Sequence, residues 1–178
     1  MVRTFVAIEL SGDIRERLAE AQECLRSCGA HLTFVRPEYI HVTMKFLGEV
    51  EEKGLPKVIA ALKTVSFVPF TVNAGMVTVD NPKRPHTVWC AIEDSGESRN
   101  LFRSIEDVLE PLGFARETRR FTPHATIARV RRPDQSLFTA LDQLKTRTYG
   151  SCIIAGFRLK KSTLTPQGPI YEDLLEAP

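Results

Sequence analysis

The sequence predicts a mixed fold of strands and helices, laid down twice in the same order. Three observations predict it. The 178 residues suffice for one compact unit with its own core. Stretches of the first half reappear about 83 residues later. Within each half, apolar spacing switches between a period of two and a period near 3.6, in the same sequence of changes.

The chain opens on a strand that runs into a Ser-Gly turn. Shifted by 84, Ala7-Ile8-Glu9-Leu10-Ser11-Gly12 falls on Ala91-Ile92-Glu93-Asp94-Ser95-Gly96, with five of six positions identical. Upstream, Thr4-Phe5-Val6 faces Thr87-Val88-Trp89 at a shift of 83. A helix follows in each half. Ile14, Leu18, Ala21, Leu25 and Cys28 make one apolar stripe, with Gly29 as the expected stop. Leu101, Ile105, Val108 and Leu112 answer it, followed by Gly113.

Next, His41-Val42-Thr43-Met44 falls on His124-Ala125-Thr126-Ile127 at a shift of 83, opening strands over 42–47 and 125–130. Second helices carry Leu55, Val58, Ile59 and Leu62, then Leu137, Phe138, Leu141 and Leu144. A third strand carries Ala74-Gly75-Met76 and Ala155-Gly156-Phe157, a shift of 81. The reading is one domain over 1–178, with repeat 1 about 1–83 and repeat 2 about 84–178. The boundary falls in a Pro-rich turn at 81–85. Halves this small are expected to share a sheet or pack closely. After turn signals at Pro166, Gly168 and Pro169, the tail is expected to lie on the body.

Apolar content of 43% and charged content of 26% exclude a disordered or fibrous chain. A net charge of +2 is too mild for coating DNA. Arg116, Arg119, Arg120, Arg129, Arg131 and Arg132 crowd one stretch. Such a cluster suits a phosphate-bearing ligand, or is a solvated basic loop. No apolar run reaches the length of a membrane span. Cys24, Cys28, Cys90 and Cys152 come without a secretory signal, so a cytoplasmic protein with reduced thiols is expected. Cys24 and Cys28 share a helix face, which points to packing rather than a metal clip.

In a strand, residues i and i+2 share a face, so His41 projects beside Thr43 and His124 beside Thr126. If an approximate two-fold relates the halves, both pairs meet at one place. Two imidazoles suit in-line displacement at phosphorus, one taking a proton and the other giving one. Threonine hydroxyls can donate to the non-bridging oxygens. The scheme requires no metal or other cofactor. His31-Leu32-Thr33 matches the same short pattern but has no repeat partner, so His31, like His86, reads as structural. Lys45 lies on the His41 face by parity and is a candidate phosphate contact. Arg129 is an odd step from His124 and becomes a second candidate only if a bulge or the strand end turns it. Phe5, Tyr39 and Phe121 flank the site segments as base-stacking candidates, with core packing the default.

The blocks Phe5-Val6-Ala7-Ile8-Glu9-Leu10, Val35-Arg36-Pro37-Glu38-Tyr39-Ile40-His41-Val42-Thr43-Met44-Lys45-Phe46-Leu47-Gly48 and Phe121-Thr122-Pro123-His124-Ala125-Thr126-Ile127-Ala128-Arg129 resemble the two-histidine (2H) phosphoesterase superfamily. They are most similar to its RNA 2',3'-cyclic phosphodiesterase branch, also called 2'-5' RNA ligase. The tail from Ser162 to Tyr171 is similar to that branch as well. The resemblance implies a bilobal α+β fold, two antiparallel sheets forming a cleft with helices outside. It implies opening of a 2',3'-cyclic phosphate to a 2'-phosphate. It implies His41 as proton donor, His124 as proton acceptor, and Thr43 and Thr126 as phosphate contacts. Tyr39-Ile40 stands where that branch often has Asn-Leu, and Ala125 where Leu is common. The expected partner is an RNA end or nucleotide bearing a cyclic phosphate, and the expected state is a monomer. Open alternatives are 2'-5' joining of RNA by the reverse reaction, a small-molecule cyclic phosphate, and a non-catalytic RNA-end binding module.

Overall fold

The computed structural model describes residues 1–166 and 168–178. Gln167, inside the tail segment of the resemblance, lies outside the described residues. In chain order the elements are β1 (Val2–Glu9), α1 (Gly12–Arg26), β2 (His31–Phe34), β3 (His41–Val50), α2 (Leu55–Leu62), β4 (Phe70–Val79), β5 (Thr87–Glu93), α3 (Glu97–Leu109), β6 (His124–Arg132), α4 (Ser136–Leu144), β7 (Ser151–Ile154), β8 (Phe157–Thr165) and β9 (Gly168–Ala177). A 3-10 turn over Pro37–Tyr39 leads into β3.

Local chemistry explains the helices. Ser11 caps α1 by accepting the Ile14 N–H, Asp13 sits in the first turn, and Arg26 in the last. Ile14, Leu18, Ala21 and Leu25 are buried, as their spacing predicts. The helix ends at Arg26, before Cys28, and Gly29 is not its left-handed stop. Gly29 instead packs closely, since a Cβ there would meet Asp134 at 3.2 Å. In α3 the buried stripe runs through Leu101, Ile105 and Leu109. Leu112 is exposed because Pro111 turns the last residues into a 3-10 turn that closes on Gly113 at φ +92°.

All strand pairs among the described residues are antiparallel. The order β7-β4-β5-β6-β3-β1-β8-β9 makes one large sheet. It divides into two half-sheets joined at a single pair, Val42 opposite Ala125. Beyond that pair β3 leaves β6, and β2 takes over the same edge from Phe34↔Ala128 to His31↔Arg132. Each half-sheet draws strands from both halves of the sequence: β4 pairs with β5, while β8 pairs with β1. Helices cross in the same way, α1 onto β6 and α4, and α3 onto β3 and α2.

The third strand of the second half is interrupted at Ala155-Gly156. There the chain passes from β7 in one half-sheet to β8 in the other. Gly156 makes the passage possible, because a Cβ would stand 2.5 Å from the Ala177 carbonyl oxygen. Its sequence counterpart, Ala74-Gly75-Met76, falls at a register break in β4. The tail forms the edge strand β9, paired with β8 along its length.

Candidate active site

The site is built on the pair that joins the half-sheets. Val42 and Ala125 are fully buried and point into the core. Alternation therefore turns His41, Thr43, His124 and Thr126, all half-buried, to the opposite face. Continuing the register sets His41 across from Thr126, and Thr43 across from His124. The two imidazoles are then diagonal neighbours, with Cβ atoms somewhat less than about 7–8 Å apart. An antiparallel pair has a local two-fold through its centre. Rotation about it carries 42 onto 125, and with it His41 onto His124 and Thr43 onto Thr126. The 83-residue repeat offset in the sequence is thus the register of this bridge.

Both rings are held in the same way. His41 Nδ1 lies 2.7 Å from the Tyr39 carbonyl oxygen, and His124 Nδ1 lies 2.8 Å from that of Thr122. A carbonyl only accepts, so each Nδ1 carries its proton and donates. Each neutral ring therefore presents a bare Nε2. That of His41 is 3.1 Å from Thr43 Oγ1.

The surroundings differ. Phe5 stacks on His41 at 5.0 Å and 24°, and Tyr171 meets it edge-on at 5.6 Å. Tyr39 packs on Tyr171 at 4.8 Å. Trp89 covers His124, with ring centroids 4.0 Å apart. Burial pushes both histidines below their ordinary 6.5. Against that, Glu9 and the Tyr39 carbonyl favour the charged form of His41, and the Thr122 carbonyl and Asp80 favour that of His124.

Lys45 is not at the site. A register shift between β1 and β3 leaves Met44 and Lys45 both buried, so the parity that assigned Lys45 to the His41 face fails. Its ammonium is 2.6 Å from Glu106 of α3 and 2.8 Å from the Ala115 carbonyl oxygen. Glu106 also accepts the Glu117 N–H at 2.8 Å. The pair therefore anchors the segment that leads to His124. Phe46, which the sequence reading passed over as a site residue, takes the vacated place. It is 64% exposed and packs on Phe5 at 5.9 Å. The adjacent apolar pair Phe46-Leu47, which breaks strict alternation, was the available signal.

The equivalent break in β6 buries Ile127 and Ala128 together, with a register shift against β5. It brings Arg129, exposed, onto the His124 face, as the sequence reading required for a phosphate contact. Gln22 of α1 steadies this bulge by donating to the carbonyls of Ile127 and Val35 at 2.8 and 2.7 Å. Phe5 is buried beneath His41, and half-buried Phe121 stacks on Phe102 at 4.4 Å, the packing role that is the default for each. His31 is exposed on β2, and His86 pairs loosely with Asp80 at 3.4 Å. Arg116 is engaged by Asp107 and Glu110.

A family model described as LigT like Phosphoesterase matches residues 8–90 and 92–171. The chain belongs to this family. The RNA 2',3'-cyclic phosphodiesterase of Archaeoglobus fulgidus is 35% identical over 97% of this chain and 98% of its own length. That of Methanothermobacter thermautotrophicus is 33% identical, covering 97% and 96%. Among solved folds, TT0787 of Thermus thermophilus superposes with a TM-score of 0.82 at 26% identity, covering 98% of this chain and 96% of that one. E. coli LigT complexed with 3'-AMP shares the fold at a TM-score of 0.78 and 20% identity, covering 98% and 96%.

Proposed function

We propose that this LigT-like phosphoesterase hydrolyses a terminal 2',3'-cyclic phosphate on RNA to a 2'-phosphate. The observation that carries the reading is the Val42–Ala125 pair, whose register supports convergence of the two imidazole–hydroxyl pairs on one phosphate. Relatives of near-equal length bearing that activity in their names support the substrate class.

Neutral His124 takes a proton from water through Nε2 as the water oxygen attacks phosphorus. The P–O3' bond breaks, and O3' takes a proton from the Nε2 of His41 imidazolium. Each Nδ1 keeps its proton throughout and goes on donating it to the Tyr39 or Thr122 carbonyl oxygen. Thr43 and Thr126 donate to the non-bridging oxygens, and Arg129 offsets charge on the phosphoryl group. Phe46 offers an exposed ring to the terminal base. The test is to incubate the protein with a 2',3'-cyclic phosphate oligonucleotide and a chelator, then read the product by phosphorus NMR. A 2'-phosphate is expected. Turnover that strictly needs a divalent ion refutes the two-histidine scheme.

A further inference from the structure

The two-fold makes the histidines alike, so something outside it must make one the acid and the other the base. The strands beside them differ at the decisive place. Across from His41 stands Glu9 of β1, and across from His124 stands Ala91 of β5. We propose that Glu9, fixed by Lys160, is a positioning residue that sets a permanent negative charge beside His41 and so makes it the proton donor. The proposal rests on the reading of the site given above.

Directly opposed residues of an antiparallel pair have Cβ atoms about 4.5–5.5 Å apart, within reach of a strong charge effect. Glu9 does not bond to the imidazole, whose two nitrogens are already engaged by the Tyr39 carbonyl and Thr43. Its carboxylate is held by Lys160 at 2.7 Å and by Arg15 of α1 at 3.5 Å. Lys160 is drawn back by Asp173 of β9 at 2.6 Å, and Asp173 also takes Arg158 at 2.7 Å. The ammonium is therefore shared between two carboxylates and does not belong to Glu9 alone.

These groups line a half-open cavity of about 150 Å³ against His41, together with Tyr39, Tyr171 and Glu38. Lys160 opposes the effect of Glu9 on the ring, and the carboxylate prevails between the two. His124 faces the Trp89 ring. The acid that acts on it, Asp80, is tied to the backbone N–H groups of His86 and Thr87 at the β4–β5 turn.

The experiment compares pH profiles of kcat/KM for the wild type, Glu9→Gln, Glu9→Asp and Lys160→Met. In parallel, NMR titration follows the His41 and His124 ring signals in the free proteins. Glu9→Gln is expected to move the basic limb, and the His41 titration, down by about one pH unit, with the acid limb and His124 in place. Lys160→Met is expected to move them up. Glu9→Asp, which keeps the charge, is expected to restore the wild-type limb. Equal movement of both limbs, or an unmoved His41 titration in Glu9→Gln, overturns the proposal. If Glu9→Gln fails to fold, the Lys160→Met titration decides, since an unmoved or lowered His41 overturns the proposal there too. A wild type that leaves cyclic phosphate intact sinks the proposed function alone, because the ring titrations still decide the role of Glu9.

Discussion

A histidine at a strand start has two nitrogens, and the carbonyl two residues back decides which one carries the proton when the ring is neutral. At His41 and His124 the same i−2 carbonyl claims Nδ1, leaving Nε2 for chemistry. Replacing either ring by alanine is expected to slow turnover on the order of 10²–10⁴-fold, read as kcat/KM on a cyclic-phosphate oligonucleotide. Burial lowers both proton affinities, so the free protein's kcat/KM bell should centre below pH 6.5. A kcat/KM optimum above pH 6.5 contradicts this, whereas the kcat bell should sit higher because a bound phosphate anion favours imidazolium. The same shifts bear on stability. The unfolded chain binds histidine protons near pH 6.5 that the folded chain resists. Stability is therefore complete above that pH and lost as pH falls through the lowered values, which calorimetric Tm against pH will show. Lys45 belongs at this scale too. Breaking its buried pair by Lys45→Met should cost roughly 3–5 kcal/mol in urea unfolding, because Glu106 is left charged and unpaired. The KM should change little if the ammonium has no part in binding phosphate.

Among the elements, β3 and β6 carry matching bulges that reverse the parity of everything after them. In β3 the bulge withdraws Lys45 and presents Phe46; in β6 it presents Arg129. The Ile127 carbonyl at the second bulge is held by buried Gln22. Gln22→Leu is expected to destabilise the fold by about 1–3 kcal/mol and to weaken turnover through a looser Arg129, measured by melting and by kcat/KM together. His41, Thr43, His124 and Thr126 were legible because parity holds over two residues and the repeat singled them out. Lys45 was misassigned because the place of a bulge depends on the neighbouring strand, and the Phe46-Leu47 pair signals only that alternation breaks, not where. Tyr171 and Glu9 were unreadable as neighbours of His41, since they arrive from β9 and β1 by sheet order alone.

Across the whole molecule, the exchange of strands and helices ties the halves together. The half-sheet with β1 and β3 needs β8 and β9, and the one with β5 and β6 needs β4. Fragments 1–83 and 84–178 should each fail to melt cooperatively, while the full chain melts in one transition. Two independent transitions in the intact chain would contradict that coupling. The crossing at Gly156 is the narrowest point of the exchange. Gly156→Ala should cost at least about 1–3 kcal/mol, because the methyl meets backbone rather than a movable side chain.

By itself, the sequence determined the order of strands and helices, the paired His-x-Thr strands, and the offset that relates them. Those features follow from local periodicity and from comparison of the chain with itself. Tertiary structure alone decided that Val42 pairs with Ala125, that bulges trade Lys45 for Phe46, and that Glu9 stands beside one histidine and Ala91 beside the other. Each of these depends on which backbone lies next to which, and hydrogen bonding between distant strands is not encoded in the spacing of either one.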